Sequence, residues 1–448
     1  MKKLFALLAV AAMLGFASCE TNDIQEVKLY DVAFALRYPA DSGIEPIEGI
    51  TVTVKNTNGT ETTAVTDASG IAPFSLPEGV YEVSASEQRS LNGYTYTFNA
   101  QSSNVVVSKS TYTEGITIEL EMVGSRAGQI LIKEVYSGGC QKDDGSGFYQ
   151  NDKYIVIYNN SAQDASIKNF CIGMAGPYNA NSGTNNYVDG KLFYDDLGYT
   201  PSICAFWFMQ HDLVMQPFES KVIALNGAID HTATYSNSVN LSNADYCTYD
   251  PEVFSNTSFY PAPSETISSD NYLKACFVGQ GNAWPVSVIG PAMFIFSVED
   301  NNPLAWGQDI TNRYYFPGKE DSAVYGCVKI PNDYILDAVD IFGAERVEES
   351  LPRFNATLDA GYAVLTNKQG YTIYRNVDKE ATEAIAENEG KLIYGYANGT
   401  IDYKGAESTD PSGIDAEASM RNGAHVVYKD TNNSSNDFHQ RAMASIKE

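Results

Sequence analysis

From residue 49 to residue 67 the chain reads GITVTVKNTNGTETTAVTD: Ile50, Val52 and Val54 alternate with Thr51 and Thr53, Asn58-Gly59 interrupts them, and the pattern resumes through Thr63 and Val65. A period of two sends successive side chains to opposite faces of an extended strand, whereas a helix would scatter these apolar residues around its circumference. Asn-Gly suits the positive φ angles of a tight turn, so the segment is expected to form a hairpin. Strand-like stretches recur at 111–123, 128–140, 152–174, 215–227, 328–343 and 370–378, separated by Gly, Pro, Asn and Ser. One stretch departs from this: in DKEATEAIAENEG, Asp378 as N-cap, acids in the first turn and Gly390 past the end predict a helix with a charged, solvated face. The expected fold class is all-β, in two sandwich domains.

The N-terminus carries an address. Lys2 and Lys3 precede an apolar run from Leu4 to Phe16, too short to span a bilayer and followed by small residues, which is how an export signal reads. Ala17 and Ser18 stand directly before Cys19, the pattern a lipoprotein signal peptidase requires. Residues 1–18 are therefore expected to be removed, Cys19 to be lipidated, and 19–25 to link it to the folded body. The expected partner is a membrane, reached through the N-terminal lipid, at the surface or periplasmic face of an outer membrane. Glu20 and Asp23 follow the cysteine, and acids there can direct such proteins outward.

Loss of Lys2 and Lys3 with the signal would move the formal charge from −27 to −29. Phosphate recognition needs patches of Lys and Arg, and no basic run occurs, so nucleic acid is excluded as a partner. Six further cysteines, Cys140, Cys171, Cys204, Cys247, Cys276 and Cys327, all fall in the middle of the chain. In an exported protein they permit up to three disulfides, with buried free thiols as the alternative and the pairing left open. No CxxC occurs and the four histidines (His211, His231, His425, His439) are scattered, so no zinc site is expected. No cofactor is expected either.

TDASGIAPFSLPEGVYEVSAS, with Asp67, Gly70, Phe74, Leu76, Gly79, Tyr81 and Val83 at the matching positions, resembles the carboxypeptidase-regulatory-like, prealbumin-type sandwich. That resemblance assigns 26–123 to a first domain, a spacer or binding platform, with GSRAG at 124–128 as the boundary. The second domain, 129–448, resembles a lamin-tail-type, immunoglobulin-like sandwich on Glu134, Tyr154, Ile157, Tyr158, Asn159, Asn160 and Ser161; Asn169-Phe170 stands where that family prefers Gly-Trp. Asp430, Thr431, Asn432, Ser434, Asp437 and Phe438 fill the family's closing run. Because the family pattern is shorter than this span, 174–212 and 226–291 are expected to be long loop insertions. Taken end to end, these features resemble a family of Bacteroidetes lipoproteins of unknown function.

Loops on a rigid scaffold are where binding residues gather. Trp207, Tyr246, Tyr249, Tyr260, Tyr272 and Trp284 are candidates for a surface that stacks on carbohydrate or docks an envelope protein. Asp430, Asn432, Ser434 and Asn436 have the alternate spacing of a calcium loop, but Ser435 and Arg441 stand where such a loop wants glycine and glutamate, which favours a structural turn. No G-x-S-x-G, H-E-x-x-H, P-loop or G-x-G-x-x-G occurs. The expectation is a non-catalytic, membrane-anchored binding protein, with an accessory role in nutrient uptake. The alternatives are a glycan-directed hydrolase, for which loops such as CQKDDGSG hold adjacent acids, and a structural envelope protein.

Overall fold

The structure, a computed structural model, describes residues 28–448 apart from 39–44, 47, 92–93, 110–115, 127, 299–300, 321 and 323–324. The signal, Cys19 and the linker lie outside the described residues. No helix among the described residues is long and apolar enough to cross a membrane.

The first domain is built from β1 (Leu29–Arg37), β2 (Thr51–Asn56), β3 (Glu61–Val65), β4 (Ile71–Pro77), β5 (Gly79–Leu91), β6 (Tyr94–Val107), β7 (Thr117–Glu121) and β8 (Val123–Arg126). The expected hairpin is β2–β3, with Thr53 opposite Thr63, and the Asn56 carboxamide oxygen fixes its turn by accepting from the Asn58 and Thr60 amides. At Asp67 the carboxylate accepts from Ser69 and Ile71 while Gly70 adopts a φ of 73°, closing the next turn. Sheets of order β4-β1-β7 and β3-β2-β5-β6-β8 enclose Phe34, Val52, Val54, Phe74, Val83 and Phe98. Because β8 pairs with β6, this domain runs through Arg126, three residues past the expected end.

In chain order the second domain contains β9 (Ile130–Tyr136), β10 (Tyr154–Asn159), β11 (Phe170–Met174), β12 (Tyr199–Ile203), β13 (Ala205–Phe208), β14 (Ser220–Ala224), β15 (Tyr246–Thr248) and β16 (Tyr272–Phe277). Then come β17 (Ala292–Ser297), β18 (Arg313–Tyr315), β19 (Gly326–Pro331), β20 (Ile335–Gly343), β21 (Ala363–Leu365), β22 (Thr372–Arg375) and β23 (Phe438–Arg441), with short hairpins between. Twelve of these form one sheet of order β21-β20-β17-β11-β13-β16-β15-β14-β10-β9-β22-β23, and β12-β19-β18 form a separate sheet. Within the large sheet β20–β21, β14–β15 and β15–β16 pair parallel and the other neighbours antiparallel.

Side chains bring the two ends of this sheet together. Asp337 of β20 accepts from the Ile132 amide of β9 at 2.6 Å and pairs with Arg375 of β22, while the Thr366 amide beyond β21 donates to Gln440 of β23. The result is a nearly closed, barrel-like sheet in place of the expected immunoglobulin-like sandwich. Its inner face packs Ile132, Ile157, Ile172, Trp207, Ile295 and Val339 into one core, and alternate residues such as Phe206, Phe294 and Phe296 pack outward under the loops. Strands buried on both faces read as continuous apolar runs rather than as alternation. For that reason AFWF and AMFIFS do not resemble half-buried strands.

The insertion reading is corrected as well. β13, β15 and β16 lie within 174–212 and 226–291, yet they occupy the middle of the large sheet. They are three to six residues long and set among Ser, Asn and Tyr, too short for a periodic signal. Of the stretches that resemble the lamin-tail pattern, 128–140, 152–174, 215–227 and 370–378 contribute the adjacent strands β14-β10-β9-β22, whereas 328–343 contributes to β19, in the separate sheet, and to β20, near the other end of the large one. The expected helix is reduced to α2 (Lys379–Glu383), among the described residues the second of four short α-helices, after α1 (Pro303–Gln308) and before α3 (Ala416–Arg421) and α4 (Ser434–Asp437). Asp378 caps α2 as expected, but Asn388 donates to the Thr382 carbonyl and turns the chain aside before Gly390.

Candidate functional site

Four of the six aromatic candidates are core residues. Trp207 and Trp284 are fully buried, and Tyr246 and Tyr260 nearly so. Trp207 lies 5.4 Å from Phe254 and 5.6 Å from Tyr260, the Trp284 indole donates to the Ile203 carbonyl, and the Tyr260 hydroxyl to the Trp284 carbonyl. The half-buried Tyr249 and Tyr272 meet edge to face at 5.4 Å. These six do not form a surface; the side-chain alternation of β13 points Trp207 into the barrel.

The stretch from Asp430 to Asn436 is a turn. Ser434 Oγ donates to Asp359 at 2.6 Å, the Asn436 carbonyl accepts from Asn376, Asn433 caps α4, and Thr431 is held by Asp437 through its amide and hydroxyl. Asp430 faces Arg375, so it and Ser434 serve different partners. Among the described residues no group of three or more His, Cys, Asp and Glu is placed to hold a metal. The turn has two structural duties. Its Asp430 and Thr431 carbonyls accept from Thr97 and Asn99 of β6, docking the first domain, and its Asp430 and Asp437 surround Arg375 together with Asp337. Burial, with the charges of Asp337 and Asp437, pushes the Asp430 carboxyl up to about 7 against the pull of Arg375.

One group of chemistry-bearing side chains was not signalled by any motif. Tyr136, Cys140, Tyr149, Asp152, His231 and Ser238 meet where β9, β10 and the 226–240 loop converge. Tyr136 and Ser238 both donate to Asp152 Oδ2, at 3.1 and 2.6 Å. His231 Nε2 donates to the Gly227 carbonyl at 2.6 Å, leaving Nδ1 to accept from Tyr149 at 2.8 Å. Burial pushes the Cys140 thiol up to about 11, raises Asp152 and lowers His231, so each group is driven to its neutral form. An activated nucleophile needs the reverse, a thiolate or a hydroxyl bonded to a free base. Here Ser238 is bonded to Asp152 and both imidazole nitrogens are engaged, so the network anchors the loop. In the neighbouring CQKDDGSG loop, Asp143 accepts from Ser236 and Asn237, and Asp144 from Ser146; these acids shape turns.

Exposed aromatic and aliphatic side chains gather elsewhere, along residues 187–199. Tyr187–Val188 pairs with Lys191–Leu192 around Asp189-Gly190, whose φ angles of 52° and 79° give the turn that matches strand twist. A short 3-10 turn at Asp195–Leu197 then ends at Gly198, φ 71°, and leads into β12. In and beside these turns Val188, Phe193 and Leu197 are 42, 44 and 51% exposed. The Phe193 ring lies 6.2 Å from Tyr314, which packs 5.9 Å from Tyr199, and Lys329 approaches the Tyr199 ring at 5.5 Å. Buried Tyr194 anchors the ledge by donating to the Arg353 carbonyl at 2.6 Å. The Asp-Gly turn inside NYVDGKLFYDD was the sequence signal for this element.

Fold and site thus define a prealbumin-like sandwich followed by a twelve-stranded barrel-like domain that carries an aromatic ledge. Residues 39–122 match the model described as a prealbumin-like fold domain (SpaA), and residues 216–412 match the model described as a protein of unknown function (DUF4876). Among solved structures, the chain is similar to a DUF4876 family protein from Bacteroides thetaiotaomicron, with a TM-score of 0.50 and 21% identity over 91% of this chain and 94% of that one. At that identity the likeness concerns fold alone. The TIE protein of Bacillus anthracis (TM-score 0.15, 13% identity, 43% of this chain and 28% of that one) and a DUF3823 family protein from Parabacteroides merdae (0.16, 6%, 70% and 99%) are too distant in shape to carry an argument. No curated protein matches the chain.

Proposed function

We propose that this protein is an outer-membrane lipoprotein, anchored through Cys19 at the surface or periplasmic face, whose second domain binds a ligand without transforming it as an accessory of nutrient uptake. The observation that carries this reading is the ledge: Phe193 and Tyr199 present ring surface backed by buried Tyr314, while burial pushes Cys140 and Asp152 toward their neutral forms. Neutral carbohydrate is the ligand class. Sugar rings stack on aromatic faces, and a formal charge of −27 disfavours polyanions. An envelope protein is the second reading, favoured by the exposed Val188 and Leu197, which suit an apolar contact. A lamin-tail-like origin for β14-β10-β9-β22 belongs to the same proposal. Electrophoresis through native gels cast with starch, xylan or mannan tests it: retardation without release of sugar is expected, and turnover of any of these polysaccharides contradicts it.

A further inference from the structure

All six described cysteines are buried free thiols, and the fold distinguishes one pair among them. β12 passes into β13 through Cys204, whose φ of 67° interrupts the strand alternation. Across β12 and β19, Ile203 stands opposite Cys327, and the Cys204 amide donates both to the Gly326 carbonyl at 2.9 Å and to the Cys327 thiol. Residues offset by one across an antiparallel pair have Cα atoms about 6 Å apart, within the reach of a disulfide. Cys204 and Cys327 also face the same barrel core, and the Tyr178 hydroxyl bonds to the Cys204 thiol while lying beside Cys327.

The other thiols are placed differently. Cys171 and Cys276 share the outer core, but β13 lies between their strands, with Phe208 opposite Cys171 and Phe206 opposite Cys276. Two strand spacings are about 9.6 Å, beyond the reach of a disulfide. Cys140 bonds to Ser238 and Asp152, and Cys247 sits on β15 with burial alone acting on its thiol.

We infer that Cys204 and Cys327 are an oxidation site, closing a disulfide that ties β19 to the start of β13 beneath the ledge. The oxidant is an external disulfide. One protein thiolate attacks it, releasing a thiol and leaving a mixed disulfide; the second thiolate then attacks the protein sulfur of that bond and releases the second external thiol. Two protons and two electrons leave the protein, and the external disulfide is reduced to two thiols. Burial holds the Cys327 thiol protonated in the finished core, so the bond forms while the chain folds.

The test is refolding of the reduced, denatured full chain in a mixture of oxidised and reduced glutathione, followed by denaturation, alkylation and peptide mass analysis, with Cys19 followed by its own peptide. The expected result is two fewer alkylated thiols than the six and a Cys204–Cys327 linked peptide that disappears on reduction. Either Cys327→Ser or Cys204→Ser should leave every remaining thiol alkylated. Six alkylated thiols, a bridge between other cysteines, or a single-serine variant that still loses two thiols would overturn the inference.

Discussion

Trp207 and Phe193 show how little residue type says about role. Both were available to stack on a ligand, but β13 buries Trp207 in the barrel whereas a tight hairpin leaves Phe193 44% exposed. Trp207→Ala is expected to cost about 3–5 kcal/mol in urea unfolding, as large-to-small core changes do. Phe193→Ala is expected to cost about 1 kcal/mol or less. Equal losses in the two variants would show that Phe193 is a core residue. Asp430 was legible as part of a turn, but its neighbours were not, because Arg375 and Asp337 come from distant strands. With a folded pKa of about 7 against an ordinary 3.8, Asp430 stays protonated in the folded chain while the unfolded chain ionises. Its contribution to stability is complete below about pH 4 and declines as pH rises toward 7. The other carboxyls around Arg375, Asp337 and Asp437, are raised too and act in the same sense, whereas buried His231 and His439 are lowered and act in the opposite one. Melting curves of Asp430→Asn should therefore fall less between pH 4 and pH 7 than those of the parent; an identical slope would refute the assignment.

At the scale of elements, local chemistry governs what can be read. The β2–β3 hairpin follows from alternation and Asn58-Gly59, and the turn at Asp67 from an Asx side chain and a glycine. Asp189-Gly190 carries the same kind of signal in a stretch otherwise read as an insertion. β15, three residues long and buried, has no signal of its own; the large sheet specifies it through its neighbours β14 and β16. Gly190→Val puts a β-branched side chain at a φ of 79°, a strain of about 1–2 kcal/mol that acts on the hairpin supporting Phe193. Ligand retardation should weaken while the melting temperature changes little, and a variant that binds like the parent would separate the hairpin from the site.

For the whole molecule, the seam of the barrel rests on Arg375, which has Asp337, Asp430 and Asp437 around it and hydrogen bonds to the Ile132 and Lys429 carbonyls. Removing one partner of a buried ion pair leaves uncompensated charge, so Arg375→Met is expected to cost about 3–5 kcal/mol in urea unfolding. A loss below about 1 kcal/mol would show that the sheet closes without it. This seam was invisible in the sequence, since it joins strands from three separate stretches of the chain. On the proposed reading the ligand is held on the ledge, outside the barrel core. The most direct test compares the parent with the double variant Phe193→Ala/Leu197→Ser in native gels containing whichever polysaccharide retards the parent, with melting temperatures measured in parallel. Retardation is expected to be lost while the melting temperature stays close to that of the parent. Undiminished retardation by a fully folded double variant would contradict that reading.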